Sequence, residues 1–517
     1  MQARCNNLVI VMRRHKRHTT RAAINASWLI VPLSIVAILI LALLLFRHPG
    51  GRITAGGDLV VFCAAGIKPP TDATATDYQK EYGSPIQLQY GGSGTLLNNL
   101  RISHAGDIYI AADESYIRLA RERGLIAETL PLARQHPVIA VRKGNPKGIR
   151  SLDDLRRDGV AVALANPEAA SIGKLTKDTL DKLGRWTPLA ARVKVFKPTV
   201  GDVANDVKLG SVDAGIVWDS TVRQYPELEA VASAELEPHV ETVTLAILKS
   251  SKHPTAALRF ARYLAASDRG LRHFKAMGYT PVEGDAWAET PELVLFSGAV
   301  NRVAVEDAIK AFEEREGARI TRVYNGCGIL VAQMKAGGRP DAYLTCDESF
   351  VPPVADLFDD GLVRMSETDI VIVAPKGNPK NIRTLQDLAR PGLRIGITNP
   401  EQSTLGALTQ SLLSKAGIRD QVLKNVVTMT PTADMLLNET RTGALDAAVV
   451  YIANANKARD HLEISPLKIP GSVAVQTFSV AKNSKHKQLV GRLLEALRTA
   501  EQDSRYEAAG FRARHDR

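Results

Sequence analysis

Two short glycine-rich segments in this 517-residue chain have the residue types needed to hold an anion without a charged side chain. The first reads GGSG at 91–94, directly after the apolar run 86–90 and before a helical stretch expected to begin near Thr95. Glycine lets the backbone turn tightly and expose N–H groups, a helix N-terminus favours negative charge, and the Ser93 hydroxyl adds a donor. A Gly-x-Gly turn recurs at 326–328. We therefore expect a main-chain anion cradle at each turn, with a plain turn as the alternative.

Residue patterns typical of enzymes and metal centres do not occur in the sequence. The eleven histidines form no cluster with metal-ligand spacing, and there is no GxSxG, HExxH or Walker motif. No cysteine lies in a CxxC motif or at zinc-binding spacing from a histidine; the four are Cys5, Cys63, Cys327 and Cys346. Asp113 and Asp347 each head a DES tripeptide, which predicts helix N-caps. We therefore expect a binding protein with no catalytic residues, no metal ion and no cofactor.

The second half of the chain repeats the first. Matching segments, first half then second half, are 59–62 and 293–296, 90–94 and 324–328, 107–117 and 341–351, and 142–155 and 375–388. The first three pairs are displaced by 234 positions and the fourth by 233, and the fourth pair is identical at 10 of 14 positions. Matches on nearly one diagonal over so long a stretch indicate a duplicated domain.

The repeat also sets the predicted boundaries. The expected segments are a basic tail (1–27), an apolar helix (28–46), a Gly-rich spacer (47–57), a first domain (58–286), a short polar linker (287–291) and a second domain (292–512). Each copy is long enough to bury its own core, because domains usually run to about 100–200 residues.

Short apolar runs alternate with amphipathic helical stretches in each copy. In the first copy, the runs at 59–65, 86–90 and 107–112 are predicted strands, and the helix after the first run is expected to end at Gly83. This alternation predicts α/β domains with a mostly parallel sheet and helices on both faces. Ligands bind such sheets where the carboxyl ends of the strands meet. The positions of interest therefore follow the strands, as Gly66 does.

The net charge of +11 lies mainly in the N-terminal segment. Residues 1–57 carry eight basic side chains and no acidic ones, which leaves +3 for the remaining 460 residues and argues against nucleic-acid binding. Residues 28–46 form an uncharged run about long enough to cross a membrane as a helix. Six basic residues precede it, so the positive-inside rule predicts a cytoplasmic N-terminus. We expect a single-pass anchor, with a cleaved signal peptide as the alternative.

Several of these segments together resemble one known family. The strand at 107–113 (DIYIAAD), the segment 138–146 (VIAVRKGNP) and the NPE turn at 166–168 are similar to those of the molybdate-binding proteins of ABC transporters, which are type II periplasmic solute-binding proteins. The resemblance covers nearly all of both copies. It implies two lobes around a cleft in each domain, with an oxyanion held by backbone amides and a few hydroxyls.

The same resemblance implies a set of ligand-binding positions. In the first copy they are Gly66, Ser93, Gly94, Ile172, Val200 and Trp218. In the second copy they are Val300, Cys327, Gly328, Leu405, Ala433 and Tyr451. Backbone donors carry over to any residue except proline.

The side-chain donors of the family are only partly present. Its first serine is Gly66 in one copy and Val300 in the other, and its second serine is kept as Ser93 but replaced by Cys327. Two readings of Cys327 remain open: a contact to a softer ligand, or a small buried residue where the family has serine. Cys346 follows the third strand nearby and is a potential disulfide partner.

The resemblance implies an uptake receptor at the cell inner membrane, with its binding domains in the periplasm or cell exterior. Its partners would be a molybdate-like or tungstate-like oxyanion and an ABC permease, with no nucleic acid. The alternative is a sensory or structural oxyanion-binding module that is not coupled to transport. An enzyme on the same scaffold is a third hypothesis, but the assigned positions contain no acid–base pair.

Overall fold

Residues 59–514 are described by the computed structural model of the chain, and they contain both copies of the repeat. The predicted basic tail, apolar helix and spacer all lie outside the described residues. Within 59–514, no helix combines the length and the apolar character needed to cross a membrane.

The first domain alternates strands and helices as expected. Its strands are β1 (Leu59–Ala64), β2 (Ile86–Gly91), β3 (Ile108–Ala111), β4 (Ile126–Gln135), β5 (Pro137–Arg142), β6 (Val162–Ala165), β7 (Val193–Lys197), β8 (Ala214–Trp218), β9 (Leu228–Val231), β10 (Glu241–Leu248) and β11 (Thr280–Pro281). Its helices are α1 (Lys68–Tyr82), α2 (Ser93–Ser103), α3 (Glu114–Glu122), α4 (Ser171–Lys182), α5 (Trp186–Ala190), α6 (Val200–Leu209), α7 (Asp219–Arg223), α8 (Pro254–Leu264) and α9 (Gly270–Ala276), with 3₁₀ turns at Ala65–Ile67 and Asp153–Arg156.

Two sheets divide this domain into two lobes. The first-lobe sheet has the order β11-β4-β10-β3-β1-β2, and the second-lobe sheet has the order β7-β6-β8-β5-β9. Strands β1, β2 and β3 are mutually parallel, as are β6, β7 and β8. The expectation of a mostly parallel sheet is wrong for the rest, because β4, β5 and β10 pair antiparallel with their neighbours. The α/β class itself is confirmed.

The second domain has the same plan. Its strands are β12 (Glu292–Gly298), β13 (Arg319–Asn325), β14 (Ala342–Leu344), β15 (Val363–Pro375), β16 (Ile395–Thr398), β17 (Val426–Thr430), β18 (Ala447–Tyr451), β19 (Leu462–Pro466), β20 (Val473–Val480) and β21 (Arg512–Ala513). Its helices are α10 (Arg302–Glu316), α11 (Cys327–Lys335), α12 (Thr404–Lys415), α13 (Arg419–Asn425), α14 (Ala433–Arg441), α15 (Ile452–Ala455), α16 (Lys487–Ala496) and α17 (Ala500–Ala508). Its 3₁₀ turns are Ala299–Asn301, Glu348–Phe350, Pro352–Leu357, Gln386–Ala389 and Asn456–Ala458.

One strand joins the two lobes of the second domain. β15 pairs with β20 in the first lobe and with β18 in the second, so both lobes share a single ten-stranded sheet. In the first domain the same path is divided into β4 and β5, which are separated by His136. Proline at position 137 lacks the N–H that a continuous ladder needs, consistent with the break.

Local sequence signals set several of the element ends. Helix α1 ends at Gly83, whose φ of 69° is the left-handed conformation that glycine adopts without strain. Asp113 caps α3 by accepting hydrogen bonds from the N–H groups of Ser115 and Tyr116, and Asp347 accepts from Ser349 N–H at the equivalent place. Both predicted N-caps are therefore present, whereas α2 begins at Ser93 rather than near Thr95.

The first lobes of the two domains meet at a buried carboxylate. Glu316, at the end of α10, is fully buried and accepts hydrogen bonds from Arg492 Nε at 2.6 Å and Nη2 at 3.1 Å. Arg262, from α8 of the other domain, lies 3.3 Å from the same carboxylate. Burial raises the pKa of Glu316, but the two guanidinium groups lower it by more, so the pKa lies below its usual value. Glu316 is therefore an anion held in place by both domains.

The segment between the domains is packed as well. Asp285 accepts hydrogen bonds from the N–H groups of Gln488 and Leu489, in the first turn of α16, at 2.8 and 2.9 Å. Trp287, in the predicted linker, donates its indole N–H to the Tyr82 hydroxyl at 3.0 Å. The domains are thus fastened through their first lobes.

Candidate functional site

Several helices begin at a recess between the two lobes of the first domain, which we call the first cleft. The turn Ala65–Ile67 and helix α2 reach it from the first lobe, and helices α4 and α6 reach it from the second. The first N–H groups of a helix lack partners within the helix, and its N-terminus carries partial positive charge. Among the described residues, no charged side chain lines this recess. The arrangement favours a small anion through main-chain dipoles, without an ion pair.

The structure brings together most of the residues predicted for the first copy. Those that line the first cleft are Gly66, Ser93, Ile172, Val200 and Trp218. Gly94 is not among them, because its N–H donates to the carbonyl of Ala169 in the second lobe at 2.9 Å. That N–H therefore holds the lobes together rather than facing a guest.

Two serine hydroxyls from opposite lobes meet in the first cleft. Ser171 donates its hydroxyl to Ser93 Oγ at 2.8 Å, and the N–H of Ala112 donates to the same oxygen at 3.3 Å. With its oxygen accepting twice, Ser93 retains its own proton to donate to a guest. Ser171 begins α4 and was not among the predicted site residues.

Gly66 lies against a bulky side chain from the opposite lobe. A Cβ at Gly66 would lie 2.9 Å from Val200 Cγ1, too close without movement of the valine. The carbonyl of Gly66 accepts a hydrogen bond from the Tyr279 hydroxyl at 2.6 Å, which fixes the turn. A serine at this position would therefore require Val200 to shift.

The glycines of the two Gly-x-Gly turns allow the lobes to approach closely. A Cβ would lie 2.2 Å from the Ala169 carbonyl oxygen at Gly92 and 2.4 Å from that of Glu168 at Gly94. In the second domain a Cβ at Gly328 would lie 2.0 Å from the Glu401 carbonyl oxygen. Real Cβ atoms do not approach oxygen so closely, so these glycines are required for the closed arrangement. Closure, in addition to a tight turn, explains their recurrence.

The second cleft lies at the equivalent place in the second domain. The predicted residues that line it are Val300, Leu405, Ala433 and Tyr451, whereas Cys327 and Gly328 do not line it. The Tyr451 hydroxyl is buried and has no hydrogen-bond partner. Burial raises the pKa of this phenol well above its usual value, so it stays protonated and can act as a donor. A buried donor without a hydrogen-bond partner lowers protein stability, and a bound anion would supply the missing acceptor.

Cys327 begins helix α11 just as Ser93 begins α2. Its Sγ accepts a hydrogen bond from Cys346 N–H at 3.1 Å and lies 2.9 Å from Cys346 Sγ. Both thiols are free and buried, and Cys346 lines the second cleft. The predicted proximity of the two sulfur atoms is therefore observed, but without a bond between them.

The second cleft also contains polar side chains that were not predicted. Asp434 and Asn454 line it, and the Asn454 side-chain N–H donates to Asp434 Oδ1 at 3.0 Å. The position equivalent to Asp434 in the first domain is Gly201. Asp434 and Asn454 lie on the helices that follow β17 and β18, so only their position after a strand could have indicated them in the sequence.

Comparisons with known proteins identify the family and relatives of both domains. The family model described as bacterial extracellular solute-binding protein matches residues 59–280 and again 293–512. A putative binding protein of Haemophilus influenzae is 26% identical over 227 residues, which cover 44% of this chain and 92% of that protein. The molybdate-binding protein ModA of Mycobacterium tuberculosis is 28% identical over 225 residues, which cover 42% and 83%. The periplasmic molybdate-binding protein of Azotobacter vinelandii is 20% identical, with a TM-score of 0.38, and covers 43% of this chain and 99% of that one.

Two-lobed domains that close around a recess lined by helix N-termini define the class of solute-binding proteins. The chain belongs to the bacterial extracellular solute-binding protein family and carries two tandem domains of it. The resemblance to molybdate-binding proteins, inferred from the sequence, is confirmed by these relatives.

Proposed function

We propose that this protein captures a small tetrahedral oxyanion, of the molybdate or tungstate type, in each cleft. The observation that supports this most strongly is the convergence of helix N-termini from both lobes on a recess without a cationic side chain. Such a site stabilises negative charge through fixed dipoles and hydrogen bonds rather than ion pairs. The relatives that are named as molybdate-binding proteins support the choice of anion.

Binding and lobe closure act together in this proposal. In the first cleft, an anion would accept hydrogen bonds from Ser93 in the first lobe and from the start of α4 and α6 in the second. A guest that contacts both lobes stabilises the closed arrangement over any open one. The predicted ligand positions, including Gly94 and Gly328 as closure residues, belong to this proposal.

The cellular role follows from the family. The domains would lie outside the cytoplasm, tethered to the inner membrane by the apolar segment 28–46, and would deliver the anion to an ABC permease. No acid–base pair takes part, so we propose a binding protein without enzymatic activity or cofactor.

The first experiment measures thermal unfolding of the full chain in detergent with molybdate, tungstate, sulfate and phosphate at equal ionic strength. A ligand at about 100 times its Kd adds about 2.7 kcal/mol to the free energy of unfolding, which gives a clear rise in Tm. We expect molybdate and tungstate to raise Tm. The absence of a shift with all four anions at millimolar concentration would contradict the proposal.

A matched pair of serine variants tests the first cleft. Ser93→Ala removes the donor at the start of α2, whereas Ser103→Ala alters an exposed serine at the other end of the same helix. A hydrogen bond to a charged group contributes about 1.5–3 kcal/mol, so S93A should weaken one of two sites by about ten- to hundredfold. S103A should leave calorimetric titration unchanged, and equal effects of both variants would exclude a specific role for Ser93.

A further inference from the structure

Cys327 and Cys346 form the one pair of thiols in contact among the described residues. Their Sγ atoms lie 2.9 Å apart, and Cys346 N–H donates to Cys327 Sγ at 3.1 Å. Cys327 is fully buried and Cys346 is 5% exposed. A disulfide has an S–S distance of about 2.05 Å, so a small movement of the side chains suffices to form one.

The first domain lacks this pair but keeps the same hydrogen bond. There, Ala112 N–H donates to Ser93 Oγ at 3.3 Å, in the place where Cys346 N–H donates to Cys327. The equivalents of Cys327 and Cys346 are thus Ser93 and Ala112. The pair of cysteines is a property of the second domain alone.

A third substitution makes room for the pair. A Cβ at Gly298 would lie 2.2 Å from Cys346 Sγ and 3.2 Å from Cys327 Sγ. The first domain has Ala64 at this position, opposite Ala112. Glycine at 298 is therefore matched to the larger side chain of Cys346, so three substitutions in the second domain fit together around the two sulfur atoms.

The surroundings favour unequal roles for the two thiols. Burial raises the pKa of Cys327, but its contacts with the side chain and backbone N–H of Cys346, together with the hydroxyls of Thr404 and Tyr343, lower it by more. The hydrogen bond to Cys327 and burial raise the pKa of Cys346 well above its usual value. Cys327 also begins α11, where the helix N-terminus stabilises a thiolate. The lower pKa and the helix N-terminus make Cys327 the more nucleophilic of the two thiols.

We propose that Cys327 and Cys346 form a reversible disulfide beside the second cleft, and that the disulfide form is the one that accepts an anion there. The second part rests on the proposed function. A thiolate at Cys327 is itself an anion at the N-terminus of α11, so it competes with a guest for the same positive end and repels it. The disulfide is neutral and removes this competitor. Exported proteins meet oxidising conditions, which favour the disulfide.

The reaction requires a disulfide-bearing oxidant, such as oxidised glutathione. The Cys327 thiolate attacks one sulfur of the oxidant, forms a mixed disulfide and releases one thiol. Cys346 then loses its proton, and its sulfur attacks the Cys327 sulfur and displaces the second thiol of the oxidant. Two cysteine thiols are oxidised and one oxidant disulfide is reduced. Cys327 is buried and does not line the closed cleft, so the attack requires the lobes to part; Cys346, which lines the cleft, marks the side from which the oxidant enters.

The test compares the full chain, in detergent, after treatment with oxidised glutathione or with dithiothreitol. Denaturing alkylation counts the free thiols, and peptide mapping by mass spectrometry identifies linked cysteines. The sequence holds four cysteines, so we expect four free thiols after reduction and two after oxidation, with the peptides of Cys327 and Cys346 joined. Four free thiols after oxidation, or a different linkage, would overturn the proposal.

Calorimetric titration with molybdate then measures how the disulfide changes the affinity of the second cleft. The first cleft is lined by no cysteine and serves as the internal reference. We expect the second cleft to bind at least about tenfold more tightly in the oxidised chain, because a like charge is removed at close range. Equal or weaker binding by a chain with the confirmed disulfide would overturn the second part. If molybdate binds to neither form, the proposed function fails, while the thiol count still decides the disulfide.

Two variants distinguish the specific role of the Cys327–Cys346 pair from the effect of removing any cysteine. Cys346→Ala reproduces Ala112 of the first domain, prevents the disulfide and should make molybdate binding independent of oxidation. Cys63→Ser alters a buried cysteine of the first domain, whose thiol contacts the Thr71 hydroxyl at 3.5 Å. C63S should keep the response of the second cleft to oxidation, and a response lost in C63S but kept in C346A would refute the assignment.

Discussion

The two clefts share a backbone arrangement, but at one pair of facing positions the larger side chain comes from opposite lobes in the two domains. In the first cleft, Gly66 of the first lobe lies opposite Val200 of the second, and a Cβ at Gly66 would lie 2.9 Å from Val200 Cγ1. In the second cleft, the equivalent residues are Val300 and Ala433, so the isopropyl group belongs to the first lobe. An exchange of this kind preserves the filled volume, which closely packed sites require. Shape is therefore conserved between the clefts by compensation.

The donor chemistry is not conserved in the same way. The first cleft offers the hydroxyl of Ser93, which accepts from Ser171, and the Trp218 side chain, whereas the second offers Tyr451, the thiol of Cys346 and the amide of Asn454 beside Asp434. Main-chain donors depend only on the fold, so they survive substitution, but side-chain donors do not. After duplication, both domains therefore kept the helix N-termini, while the side chains around them diverged.

The largest effect is expected from variants that prevent the two lobes of one domain from closing while the other domain is unchanged. Gly328→Ala places a Cβ 2.0 Å from the Glu401 carbonyl oxygen, and Gly94→Ala places one 2.4 Å from that of Glu168. Each variant should abolish calorimetrically detectable oxyanion binding in its own domain and reduce the stoichiometry from two to one. Gly491→Ala, where a Cβ meets no neighbouring atom within 4 Å, is the control and should retain both sites. Loss of both sites in either cleft variant would mean that the clefts close together.

Removing the equivalent aromatic donors should give the next largest effect. Tyr451→Phe deletes the unpartnered buried hydroxyl of the second cleft, and Trp218→Phe deletes the indole N–H of the first. Each should weaken its own site by about ten- to hundredfold, since a hydrogen bond to an anion contributes about 1.5–3 kcal/mol. Titration calorimetry at both sites measures this. If Y451F raises protein stability without loss of affinity, the hydroxyl does not contact the anion.

The exchanged valine can be tested by a double-mutant cycle. Gly66→Val alone should weaken the first cleft by about fivefold to 150-fold, because overpacking costs about 1–3 kcal/mol and each 1.4 kcal/mol is about tenfold in affinity. Adding Val200→Ala reproduces the pairing of the second cleft and should restore most of the affinity. Binding free energies of the four proteins give the coupling energy. Strictly additive effects would show that residues 66 and 200 do not compensate each other.

The smallest expected effect concerns Asp434. This exposed carboxylate lies at the edge of the second cleft, where the first domain has Gly201. Asp434→Asn should strengthen oxyanion binding at the second cleft by about twofold to fivefold at low salt, and the gain should shrink as ionic strength rises. The same measurement at the first cleft is the control. A gain that is independent of salt would exclude a Coulombic origin.

The parts of the fold that sequence reasoning predicted correctly are those set locally. The duplication, the α/β class, the end of α1 at Gly83 and the N-cap residues Asp113 and Asp347 all follow from short-range patterns. The antiparallel strands were missed because an apolar run looks the same in either direction of pairing. Their direction is set by contacts between residues far apart in sequence, such as Leu245 with Ile110.

The sequence placed candidate residues at the clefts where a residue follows a strand, and it missed contacts that arise across a cleft. Ser171 reaches Ser93 only when the two lobes are assembled, at a distance of 2.8 Å, whereas the proximity of Cys346 to Cys327 within one lobe was predicted. The glycine turns were identified correctly, but sequence alone indicated a tight turn and not the opposite lobe that a side chain would strike.

The buried Arg262–Glu316–Arg492 cluster has a consequence for how this chain can evolve. Deleting the second domain would leave Arg262 at a newly exposed surface, and deleting the first would leave the carboxylate with one guanidinium partner instead of two. Removing one member of a buried ion cluster typically costs about 3–5 kcal/mol. Loss of one domain by simple gene truncation is therefore disfavoured, because the buried ion cluster between the domains makes each copy depend on the other.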